Sequence, residues 1–298
     1  MAIVSSAIVA LSLALSAPAA APVPSATFDV GSIHVQEYGS GARTLVFIPG
    51  LTCGPEEWSG EIARLAPKYR IYALTLPGFD GRPAIAGPLF QTVTGDFWKF
   101  VSLKGIEKPI VIGHSLGGTM GFMLATQQPA RLGGVIALDG LPIYPSDVFS
   151  TPAKVKAAAD AGAAAMAAQT QAQFAAYEHD RTLPYLVTAP ADVDAIAAYA
   201  GKADPKATAE WFREDIELDL RPDLAKADVP IVLLAPYDAT LEGTYLPTAE
   251  AKRSFYAGIV KNAPHASVVV IPNARHFAMY DRPQETSDAI DAALASFP

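Results

Sequence analysis

The stretch "PIVIGHSLGGTMGFMLATQQP", Pro109 to Pro129, decides how this chain folds. "PIVI" is an apolar, β-branched run of the kind that forms a buried strand. "GGTMGFMLATQQ" has helical character and is stopped by Pro129. Between them lies Gly113-His114-Ser115-Leu116-Gly117, a Gly-x-Ser-x-Gly pattern in the strand-turn-helix setting that gives such a pattern meaning. A serine raised on so sharp a bend needs neighbours without side chains, and Gly113 and Gly117 supply them. The helix after the bend turns its first N–H groups toward the serine, where they favour negative charge. An ordinary tight turn that happens to hold a serine is the alternative. The flanking strand and helix favour a nucleophile at Ser115.

The same alternation runs outward in both directions. "TFDV" (27–30) and "SIHVQEYG" (32–39) read as an opening hairpin. "TLVFIPG", "RIYALTLPG" and "GGVIALDG" read as strands, separated by helical segments at 55–69 and near "GDFWKFVSLKG". From 141 to 228 the rhythm breaks into Ala-rich helical sequence, with Asp204 as an N-cap and Pro205 at the first helical position. Then "PIVLLAP", a helix near 247–262, "ASVVVIP" and a last helix from Pro283 resume the pattern. The expected fold is α/β, a mostly parallel sheet covered by helices on both faces. The core is expected over 25–140 and 229–298, with a helical cap inserted at 141–228.

Composition sets limits. The 298 residues are 51% hydrophobic and 17% charged, with formal net charge −8. That is a globular composition, and it lacks the clustered Lys and Arg that nucleic acid demands. Residues 1–24 carry no charged side chain, an apolar stretch from Ile8 to Leu15 and then small residues. They read as a signal peptide, so the expected location is secreted or periplasmic. The apolar stretch is short for a membrane span, and none is expected in the mature form. Cys53 is the single cysteine, which rules out an internal disulfide; a lone cysteine reads as a small apolar filler. The histidines are scattered and no dinucleotide or phosphate-loop motif appears, so neither metal nor cofactor is expected.

With "VFIPGLTCGPEEW", "LTLPGFDGRP", "VIGHSLGG", "VPIVLLAPYD" and "NARHFAMYDRPQE" in this order, the chain resembles the α/β-hydrolase superfamily, in its lid-bearing, esterase-like branch. The resemblance covers nearly everything after the leader and implies an eight-stranded sheet. It places the base in the loop after the last strand, where His276 stands. It usually takes the acid from the strand beyond the insertion, which is Asp238. Some relatives take it from the preceding strand, where Asp139 sits, and Glu242 lies close enough to be an outsider. The order Ser115, Asp238, His276 matches the family. The oxyanion hole would combine the N–H of Leu116 with that of Leu51, in a loop where many relatives have His-Gly and this chain has Pro49-Gly50. Thr52 could add a hydroxyl or cap the loop. His114 is expected to point away along the turn.

The cap's bulky residues, Tyr144, Met166, Trp211 and Phe212 among them, suggest an apolar pocket with few polar anchors. Tyr144 and Phe79 are the expected substrate contacts. The resemblance thus implies a serine hydrolase acting on a small, largely apolar carboxylic ester through an acyl-enzyme. A lactonase, a C–C bond hydrolase or haloperoxidase-like relative, and a ligand-binding protein that has lost catalysis remain open. Oligomeric state is not legible.

Overall fold

The computed structural model describes residues 22–298. The leader expected over 1–24 therefore lies, except for its last three residues, outside the described part. Eight strands form one sheet in the order β1-β2-β4-β3-β5-β6-β7-β8. They are β1 (Ala26–Val30), β2 (Ile33–Tyr38), β3 (Thr44–Ile48), β4 (Arg70–Thr75), β5 (Ile110–His114), β6 (Gly134–Leu138), β7 (Ile231–Tyr237) and β8 (Ala266–Pro272). β1 and β2 make the opening hairpin and β2 pairs antiparallel with β4; every later pairing is parallel.

The central strands are apolar throughout because both of their faces are covered. Successive side chains point to opposite faces, so each strand feeds two cores at once. Val46, Val111, Val135 and Leu233 enter one core; Phe47, Ile112, Ile136 and Leu234 enter the other. Helix α1 (Ser59–Leu65), preceded by a 3₁₀ turn at Pro55–Trp58, sends Ile62 and Leu65 into the second core. Helices α2 (Leu89–Leu103) and α3 (Leu116–Gln127) send Phe97, Trp98, Met120 and Leu124 into the first. α2 begins well before the "GDFWKFVSLKG" segment read from sequence. Glu214 explains that early start: its carboxylate accepts from the Leu89 and Phe90 N–H groups at 2.7 and 3.0 Å, capping the helix from a distant element.

Between β6 and β7 come α4 (Pro152–Ala167), α5 (Gln171–Tyr177), a π-helical turn (Glu178–Thr182), α6 (Leu183–Leu186), α7 (Pro190–Ala200) and α8 (Pro205–Glu217). Asp204 caps α8, accepting from the Lys206 and Ala207 N–H groups at 2.8 Å each. Ile143 and Asp219 form an isolated bridge that closes the base of this insertion. A third apolar cluster joins the insertion to the core. Leu183, Val187, Ile196 and Tyr199 pack there with Cys53 and Phe277. α8 is anchored separately: Trp211 is fully buried, stacks edge-on against Phe90 at 5.3 Å and donates to the Pro77 carbonyl at 3.1 Å. After β7 come the single turn α9 (Ala239–Glu242), α10 (Ala249–Val260), the single turn α11 (Ala278–Asp281) and α12 (Pro283–Ser296). Among the described residues no helix is long and apolar enough to cross a membrane.

Candidate active site

β5 ends at His114, and Ser115 sits on the bend before α3 with φ 51° and ψ −119°. Few residues with a side chain adopt that backbone, and it persists only where the surroundings enforce it. The Ser115 N–H donates to the Leu138 carbonyl at 2.9 Å, and the Ser115 carbonyl accepts from Thr119 at 2.9 Å. A methyl group at Gly113 would run into the Gly117 carbonyl, and one at Gly117 into the carbonyl of Ile48. Both glycines are thus required by close approach of backbone. The Leu116 N–H belongs to the first turn of α3, where an amide has no carbonyl four residues back to receive it.

The loop after β3 approaches the same place. Gly50, Leu51 and Thr52 line one cavity with Ser115, Asp139, Tyr144 and His276. Thr52 has φ 68° and its hydroxyl donates to the Leu51 carbonyl, so it caps the loop. The cavity holds about 560 Å³. That is an ordinary size for a small-molecule site.

His276 follows β8, and its Nδ1 lies 2.6 Å from Asp139 Oδ2. The other Asp139 oxygen accepts from the Tyr256 hydroxyl at 3.1 Å. Burial alone would raise the Asp139 pKa. The hydrogen bond and charge of His276, with Lys252 nearby, outweigh it and hold the carboxyl below its ordinary range. Asp139 Oδ2 fixes Nδ1 as the protonated nitrogen and leaves Nε2 free to accept. Among the described residues no hydrogen bond joins Ser115 to His276; such contacts are often long in a free enzyme and tighten around substrate.

The carboxylate brought to His276 is Asp139 and not the expected Asp238. Asp238, at the end of β7, does not reach His276. Its Oδ2 accepts from Arg275 Nε at 2.9 Å and its Oδ1 from the Thr240 N–H and hydroxyl at 2.8 and 2.7 Å. Its pKa is lowered: burial raises it, but the Thr240 and Arg275 contacts prevail. Arg275 also donates to the Pro184 and Val187 carbonyls at 2.8 and 3.1 Å, tying the His276 loop to the cap. Glu242 is held by Lys252 Nζ at 2.5 Å.

Phe79 is also corrected. It is fully buried, packs beside Trp211 with ring centroids 6.2 Å apart, and belongs to the core rather than to the cavity wall. Tyr144, Met166 and Phe212 do line the cavity, whereas Phe149, Tyr177 and Tyr185 are exposed on the surface. Cys53 is buried in the apolar cap cluster, and burial pushes its thiol pKa well up.

His114 does not point away from the site. It is fully buried, its ring 4.5 Å from that of His276. Its Nε2 lies 3.1 Å from the His276 carbonyl, which can only accept, so that nitrogen carries a proton. Its Nδ1 faces Glu57 Oε2 at 3.2 Å, and the other Glu57 oxygen accepts from the Gly50 N–H at 3.1 Å. Glu57 and His114 therefore link the loop after β3 to the loop bearing His276. Glu57 is not among the site residues legible in the sequence. The available signal was its place in the first turn after the Pro49-Gly50 loop, beside a bulky apolar Trp58.

The cavity, expected to be apolar with few polar anchors, holds two carboxyls that the sequence did not mark. Glu178 and Asp215 line it, and burial pushes both carboxyl pKa values up to about 7. Among the described residues neither has a Lys or Arg within ion-pair distance, and no His, Cys, Asp and Glu cluster suits a metal ion.

Comparison with known proteins agrees with the fold. Residues 45–289 match the sequence model of the alpha/beta hydrolase family. The pimeloyl-[acyl-carrier protein] methyl ester esterase of Pectobacterium carotovorum is 30% identical over 115 residues, 39% of this chain and 44% of that protein. The 2-succinyl-6-hydroxy-2,4-cyclohexadiene-1-carboxylate synthase of Escherichia coli is 35% identical over 112 residues, 37% of this chain and 44% of that protein. The chain thus matches less than half the length of these curated relatives. Among solved structures, a thermophilic esterase from Thermogutta terrifontis superposes with TM-score 0.73 at 19% identity, covering 91% of this chain and 98% of that one. An enol-lactonase from Burkholderia xenovorans superposes with TM-score 0.72 at 18% identity, covering 91% and 100%. With most of its length matched by the family model and the same sheet throughout, this chain belongs to the alpha/beta hydrolase family.

Proposed function

We propose that the chain is a serine carboxylic-ester hydrolase that works through an acyl-enzyme, with Ser115 as nucleophile, His276 as base and Asp139 as the acid behind it. The observation that carries this reading is the 2.6 Å contact between His276 Nδ1 and Asp139 Oδ2, on the cavity that Ser115 enters from its strained bend. Nε2 takes the Ser115 hydroxyl proton as Oγ attacks the ester carbonyl. The Leu51 and Leu116 N–H groups receive the negative charge on the carbonyl oxygen. The tetrahedral intermediate collapses; the C–O bond to the alcohol breaks and His276 gives the alcohol its proton. Water, activated by the same imidazole, then releases the acid. Asp139 stays ionised and stabilises the imidazolium at each step.

A lactone would open by the same steps with its leaving alcohol still tethered, and the Burkholderia xenovorans enol-lactonase shares this fold. A panel of p-nitrophenyl esters and lactones separates these readings. Ester turnover that vanishes in Ser115→Ala supports the esterase. Turnover of lactones alone moves the assignment to a lactonase. Turnover of either that survives Ser115→Ala would overturn the mechanism. Export remains part of the proposal, resting on the uncharged, apolar leader.

A further inference from the structure

Helix α8 is pinned to the core by Trp211 and Glu214, and a different stripe of it meets the cavity. Thr208, Phe212 and Asp215 line that cavity. They stand at i, i+4 and i+7, which is one face of a helix spanning about 10 Å. Thr208 is 1% exposed, and its Oγ1 is buried with no hydrogen-bond partner among the described residues. That oxygen is closed off from the cavity as well as from solvent, so Asp215 is the polar group this face of the helix offers to a ligand. Asp215 has no counter-charge among the described residues and lies beside Thr119, one turn along α3 from Ser115. Tyr144 lies close to both Asp215 and Asp139.

The charges around the rest of the cavity lean the same way. Among the described residues Lys252 is the only Lys or Arg lining it. That ammonium already sits 2.5 Å from Glu242 and 4.4 Å from the centre of the Tyr256 ring. Glu178 adds a second carboxyl without a cation. A substrate carboxylate would meet no free positive group and several negative ones. A substrate ammonium would supply the charge that Asp215 lacks, beside the aromatic rings of Tyr144 and Phe212.

We propose that the substrate is an ester bearing a cationic amine a short chain away from the reacting carbonyl, and that Asp215 holds that amine. The spacing follows from α3: Thr119 stands four residues beyond Ser115, about 6 Å along the helix. Three or four carbons between carbonyl and nitrogen span that distance. This rests on the serine-hydrolase reading above, and two measurements keep the failures apart.

The first compares two isosteric p-nitrophenyl esters at pH 8, of 4-(trimethylammonio)butanoate and of 5,5-dimethylhexanoate. The expected result is a kcat/KM at least tenfold higher for the cationic ester, the ratio falling toward one in Asp215→Asn. Equal or better turnover of the neutral ester, or a preference that survives Asp215→Asn, overturns the proposal and leaves the hydrolase reading standing. The second needs no turnover and also serves if neither ester is cleaved. Millimolar butyltrimethylammonium is expected to raise the melting temperature of wild-type protein by a few degrees and that of Asp215→Asn by less than half as much. No shift in the wild type, or the same shift in both, overturns the proposal independently of catalysis.

Discussion

Asp139, not Asp238, meets His276: the Nδ1–Oδ2 distance is 2.6 Å, while Asp238 is held 2.9 Å from Arg275. β6 lies next to β5 in the sheet, so the residue leaving β6 arrives beside the serine leaving β5, whereas β7 is one strand farther out. The two carboxylates end neighbouring strands, and their partners divide them. One orients an imidazole, and the other ties the imidazole's loop to the cap through Arg275.

The two acids should therefore separate cleanly in kinetics. Asp139→Asn is expected to lower kcat on an activated ester by about 10³–10⁴-fold, since the imidazole loses its tautomer and its counter-charge. Asp238→Asn is expected to cost less than about 10-fold, with loosening of the cap loop as its main effect. Measuring kcat for both variants on one p-nitrophenyl ester decides the point; the reverse ranking would restore Asp238 as the acid.

Glu57 predicts a coupled loss. Its two oxygens hold the Gly50 N–H and His114, both in the interior. Glu57→Ala would strand a buried amide and a buried imidazole at once. A loss of about 3 kcal/mol in unfolding free energy is expected, read by urea denaturation, with slower turnover of what remains folded. A variant as stable and active as wild type would show that neither loop depends on this pair.

How much of this was legible beforehand depended on how local each determinant is. The bend at Ser115 is written in five consecutive residues and a strand-helix setting, whereas His276 is picked out from five histidines only by the family resemblance. The sheet followed from uninterrupted apolar runs, because burial on both faces leaves no polar alternation. Which aspartate meets His276 was not legible, because "ALDG" and "PYDAT" each offer an aspartate at a strand end. Only the choice made by Arg275, distant in sequence from Asp139, tells them apart. The burial of Phe79 escapes a local reading for the same kind of reason. Its loop lies near the cap, but Trp211 folds over it from the far side of the insertion. Nothing local in the sequence marks Glu178 or Asp215; only packing around the cavity encloses them.

Those two carboxyls make stability depend on pH. Asp215 is faced by Thr119 and Tyr144, and Glu178 by the Thr182 hydroxyl and Cys53. Burial raises the Glu178 pKa from 4.5 to about 7, so the folded state binds the proton more tightly than the unfolded chain. For such a group stability is greatest below the unfolded pKa and declines as pH rises through the folded one. Glu178→Gln, neutral at every pH, is expected to gain about 2 kcal/mol on wild type between pH 5 and pH 8. Denaturation curves at the two pH values check this; an unchanged difference would mean that Glu178 is solvated in the folded protein.

The measurement that bears most directly on the whole account is covalent labelling with a fluorophosphonate, followed by intact-mass and peptide mass spectrometry. One label per chain is expected on Ser115, with none in Ser115→Ala and labelling slowed by more than about 100-fold in His276→Ala. Folded protein that takes up no label, or takes it up equally well with His276 replaced, would contradict the mechanism.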